Sequence, residues 1–86
     1  MSDVHTHSTH PALVARLKRA KGHLGAVIEM IEDGKPCLEI AQQMQAVEKA
    51  VANAKRTLIH DHMDHCLDDE SEEADRTELR AITRFL

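Results

Sequence analysis

Aromatic side chains are almost missing from this sequence: its 86 residues hold one Phe and no Tyr or Trp. A core without rings must be Leu, Ile, Val, Met and Ala, which suits interleaved helices better than a sandwich or barrel. Turn formers are scarce too, with three Gly and two Pro, which argues against many short strands. No apolar run approaches the ~18 residues that span a bilayer, so no membrane partner is expected. The opening stretch, Met1 to His10, is polar and His-rich, unlike a signal peptide. Cysteine is limited to Cys37 and Cys66. With no export signal, both are expected to be reduced thiols in the cytoplasm, where ligand or reactive roles outweigh a structural staple. A single small domain with so little to bury is expected to oligomerise.

What is present is a repeating apolar rhythm. After Pro11, suited to a helix's first turn, Leu13, Leu17, Ala20, Leu24, Val27 and Ile31 follow at alternating steps of four and three. Asp33-Gly34-Lys35-Pro36 reads as a stop and a restart. Ile40, Met44, Val47, Val51, Ala54 and Leu58 then repeat the rhythm in a second helix with no breaker before Cys66. An acidic linker, Leu67 to Glu73, leads to a third helix with Leu79, Ile82, Phe85 and Leu86 to one side. The expected organisation is a flexible His-rich arm over 1–10 and one all-α domain over 11–86, with helices at about 11–33, 36–66 and 74–86. Two helices with matching seams and a short link fold as an antiparallel hairpin. One hairpin covers each seam on one side only, so two hairpins are expected to pair into a four-helix-bundle dimer.

Charge is unevenly spread. Net charge is −4, yet the acidity sits mostly in the last twenty residues. Arg16, Lys18, Arg19 and Lys21 cluster in the first half of the first helix, while Glu29, Glu32 and Asp33 occupy its end. This order opposes the helix macrodipole, at a cost of only ~0.3–1 kcal/mol per exposed charge. The cluster reads either as a solvated face or as a seat for the phosphate backbone of double-stranded DNA, extended by Lys55 and Arg56 on the second helix.

The segment His60-Asp61-His62-Met63-Asp64-His65-Cys66 carries the chemistry. His62 and Cys66 stand four apart, one turn above each other, a spacing with which helices hold metals. His65 is placed to join or compete, and the plain alternative is a solvated polar helix end. Cys37 lies 25 residues before His62, about 37 Å along the same helix. One straight helix cannot unite them, but an antiparallel copy can. The midpoint falls near Ala50, within the small-residue run Ala50-Val51-Ala52-Asn53-Ala54. A two-fold axis there sets Cys37 of one chain beside His62 and Cys66 of another. Two thiolates and an imidazole form a soft set suited to Cu(I), with Ni(II), Co(II) or Zn(II) open if His5, His7 or His10 adds a donor. The alternative for Cys37 is a small buried apolar residue.

The run from Arg16 to Leu24, then Cys37, then His62 to Cys66, resembles the CsoR/RcnR/FrmR family of bacterial transcriptional repressors, over roughly residues 10–86. The resemblance implies an all-helical protein whose dimers pair into flat homotetramers. It implies repression of metal-efflux or detoxification operons and release of operator DNA when an inducer binds between subunits. It implies Cys37, His62 and Cys66 as the copper-sensing triad, Arg16, Lys21 and Arg56 on the DNA face, and Glu78 near the metal. Pro36 stands where the best-known copper sensor has Tyr, and Asn53 where it has Arg. His5 matches an N-terminal His of the nickel/cobalt branch. Ser2 occupies the place of the Pro used by the formaldehyde branch. The chain also resembles NreA-like members linked with nickel resistance.

The expectation is therefore a metal-responsive repressor that binds DNA without metal. Two rivals share its scaffold: a helical metal-buffering or chaperone bundle that never touches DNA, and a redox or aldehyde sensor using Cys37 alone. No nucleophile–base–orienter set is found, so an enzyme is not expected.

Overall fold

Gly34 is where the chain reverses. It follows helix α1, His10–Glu32, and precedes helix α2, Cys37–Cys66. In the computed structural model, which describes residues 10–66 and 73–86, Gly34 has a φ of +72°. Lys35 N donates to Met30 O at 3.0 Å and Gly34 N to Ile31 O at 3.1 Å. This bond pair closes a helix with a left-handed residue just past its end. Pro36 then restarts the chain: its carbonyl accepts from Ile40 N at 3.1 Å, and its missing N–H falls where no helical acceptor would await it. A Cβ added at Gly34 would meet nothing within 4 Å. Gly34→Ala should thus cost only the backbone term, about 1–2 kcal/mol, read as a lower urea midpoint at unchanged slope.

The rest is helical. Helix α3, Glu73–Ile82, packs on α2 and runs into a 3-10 turn, Thr83–Phe85. No strand occurs among the described residues, and the chain is all-α, as its composition predicts. Two sequence boundaries shift. Glu73, read as linker, belongs to α3, and the α-helix expected to reach residue 86 stops at Ile82. There Thr83 Oγ1 donates to Arg80 O at 2.8 Å, and a hydroxyl competing for a last-turn carbonyl tightens the turn. Phe85 and Leu86 are exposed, while Leu79 and Ile82 are half-buried. The His-rich arm up to residue 9, with His5 and His7, and the linker over 67–72 lie outside the described residues. His10, read as the end of that arm, is the first residue of α1.

The seams divide in two. Leu13, Ala20 and Val27 of α1, seven apart, are buried against Val47 and Ala54 of α2, also seven apart. The alternate members, Leu17, Leu24 and Ile31 with Met44, Val51 and Leu58, stay between 41% and 55% exposed. They form an apolar stripe along one face of the hairpin, widened by Val14 and Ile28. Leu58 thus lies outside the core of the protomer, and Ile59, off the expected rhythm, is buried in its place. Ile59 and His62 are three apart, so they share the face of α2 that meets α3.

Candidate metal centre and nucleic-acid interface

The two groups of candidate metal donors sit at opposite ends of α2. Cys37 is its first residue, and its thiol is free and exposed. His62 lies 25 residues on, about 37 Å away at the helical rise. It is 6% exposed, covered by α3, and its Nε2 stands 3.6 Å from Glu78 Oε2. Cys66 ends α2 one turn beyond His62, and His65 precedes it. No three His, Cys, Asp or Glu side chains come close enough to hold a metal among the described residues. Each chain therefore carries the proposed donors as two separate halves. The set itself, two thiols and an imidazole, suits a soft ion.

The basic residues do not form one patch. Arg16, Arg19 and His23 recur at steps of three and four, which aligns them on one side of α1. Facing them from α2 are Asn53, Arg56 and Thr57, and together these six line a groove of about 580 Å³ with Ala20 and Ala50 between them. Arg16 Nη1 donates to Thr57 Oγ1 at 3.3 Å, and Arg56 Nη1 donates to Asn53 Oδ1 at 2.7 Å. His23 Nε2 bonds Gln43 Oε1 at 2.6 Å, tying α1 to α2 at one end of the groove. Lys18 and Lys21 do not line it: they sit about 160° and 140° round α1 from Arg16. Lys55 instead lines an apolar groove with Leu13, Leu17, Val51 and Leu58. The hairpin thus has a basic face and an apolar face. His23, Gln43 and Thr57 were not singled out as site residues from the sequence. Their signal was available in the i, i+3, i+7 spacing of Arg16, Arg19 and His23, which outranks the adjacency of charges along the chain.

No described helix is long and apolar enough to cross a membrane. The family model described as metal-sensitive transcriptional repressor matches residues 9–86. The copper-sensing transcriptional repressor CsoR of Mycobacterium ulcerans is 36% identical over 55 residues, which is 64% of this chain and 47% of that protein. CsoR of Bacillus subtilis is 37% identical over 54 residues, 63% of this chain and 54% of that one. The copper-sensing repressor RicR of Mycobacterium tuberculosis is 33% identical over 52 residues, 60% and 54% of the two chains. The chain spans about half the length of the curated relatives it matches. No solved structure matches it significantly. The family is one of transcriptional repressors and not of enzymes, and the match covers the helical hairpin, both donor ends and the basic groove: the chain belongs to the metal-sensitive transcriptional repressors, the CsoR family.

Proposed function

We propose that this protein is a cytoplasmic, metal-responsive repressor, folded as one domain over 11–86, that binds operator double-stranded DNA without metal and releases it on binding Cu(I). Two hairpins pair antiparallel through the apolar stripe into a homodimer, and dimers assemble into a homotetramer. Cys37 of one copy then meets His62 and Cys66 of the other, twice per dimer, with Glu78 beside His62. The observation that supports this most is the placement of the donors at opposite ends of one unbroken 30-residue helix. Such donors form a site only when a second copy runs the opposite way. Two thiolates favour Cu(I), and the relatives named above are copper-sensing, so Ni(II), Co(II) and Zn(II) rank below it, as does ligation by His5 or His65. Arg16, Arg19 and Arg56 hold the DNA backbone, while Lys18, Lys21 and Lys55 add charge from other faces.

Inducer and DNA are coupled reciprocally: each weakens the other by the same factor. The test uses a duplex selected from a random-sequence pool by the reduced, metal-free protein. Cys37→Ala should bind this duplex within about twofold of the parent but no longer be released by Cu(I), a loss of the ~5–150-fold coupling usual for such switches. Release that survives the substitution would refute the site. His62→Ala separates the rivals, since a sensor using Cys37 alone would keep its response. Salt separates them further, because a repressor loses affinity steeply as salt rises and a metal buffer binds no duplex.

A further inference from the structure

The bond between His23 and Gln43 gives the basic groove a feature that three arginines alone would lack. A Gln Oε1 only accepts, so His23 Nε2 must donate in the 2.6 Å contact. A neutral imidazole has a single N–H, and this bond commits it. The other ring nitrogen, Nδ1, is then a bare acceptor, which repels a phosphate oxygen. Adding one proton turns Nδ1 into a donor and adds a positive charge. The charged groups lining the groove with His23 are Arg16 and Arg19 from α1 and Arg56 from α2, and among the described residues no carboxylate lines it. A phosphate there would relieve the repulsion among four cations.

We propose that this groove seats a single backbone phosphate of duplex DNA, and that His23 is a proton-dependent ligand of that phosphate, with Gln43 as the positioning residue that makes the proton necessary. The proposal deepens the repressor reading and rests on it. Binding then takes up one proton per seat, so affinity rises as pH falls. The limit is about tenfold per pH unit for each seat engaged. Replacing Gln43 with Leu frees Nε2, so a neutral His23 can carry its proton on Nδ1 and donate without taking up another.

The test measures anisotropy of a labelled mixed-sequence 40-bp duplex at low, constant salt. Reduced, metal-free full-length protein is titrated from pH 5.5 to 8.5. The parent should show the rising affinity. His23→Gln, a neutral amide donor that needs no added proton, should flatten it. Gln43→Leu should flatten it with affinity at pH 8 equal to or above the parent's. A slope unchanged in both variants overturns the proposal and leaves the repressor reading standing. Absence of duplex binding by the parent at every pH overturns both. Tripolyphosphate serves as the second probe: a pH-dependent affinity for it without duplex binding would overturn DNA as the source of the phosphate.

Discussion

Val51→Glu is expected to leave the chain monomeric in sedimentation at about 10 μM, where the parent associates. Val51 lies midway along α2, 47% exposed in the single hairpin and flanked by Ala50 and Ala52. In the antiparallel pairing proposed here, the two-fold axis passes close to this point, so each copy's residue 51 approaches its mate. A carboxylate there would be removed from water beside its own duplicate. Breaking a buried contact with an unpaired charge typically costs about 3–5 kcal/mol, and here both copies contribute. The same substitution should abolish high-affinity Cu(I) binding, although Val51 touches no metal donor, because each half-site would lose its complement. Unchanged assembly in the sedimentation profile would mean that the stripe is covered by something other than a second copy.

Ile59→Ala carries the largest expected loss of folding stability. Ile59 is 2% exposed, one of the two largest fully buried side chains among the described residues. Truncating a buried Ile to Ala costs about 2–5 kcal/mol, depending on how far the surroundings collapse. Small domains hold a total of about 5–15 kcal/mol, so the variant is expected to unfold at a much lower urea concentration. The comparison must be made at fixed chain concentration, since association stabilises the folded form by mass action. Leu58→Ala, one residue away on the stripe, should retain the secondary structure of the isolated hairpin far better. Equal losses in the two variants under monomeric conditions would contradict the assignment of Ile59 to the core and Leu58 to the surface.

The helices were legible because two interactions leave plain traces in one dimension. Apolar residues at steps of four and three define α1 and α2, and the Gly34–Pro36 punctuation defines the break between them. The same rhythm could not say which neighbour each residue meets. Leu13 and Leu17 are both apolar and both periodic, yet one faces α2 and the other the outer face. Hydrophobicity records that a residue wants cover, not what covers it. Ile59 escaped because α3 adds a second contact to α2 near its end, which widens the buried arc beyond a two-position seam. The candidate metal donors are named by residue type and by distance along a rod, and their union across two copies is a proposal. The basic groove was legible only in part, since Arg16, Lys18, Arg19 and Lys21 are neighbours in sequence while helical rotation assigns them to different sides. The tether from His23 to Gln43 spans twenty positions, and no local pattern announces it.

The straightness of α2 also bears on how two bound ions would sense one another. In the proposed dimer the paired centres lie about 37 Å apart along the rod, several times the ~8 Å over which physiological salt extinguishes a charge's field. Neither ion would feel its twin electrostatically, so the two should fill with equal, independent affinities. Any departure from a simple hyperbolic isotherm would have to be transmitted as mechanical strain through the backbone itself.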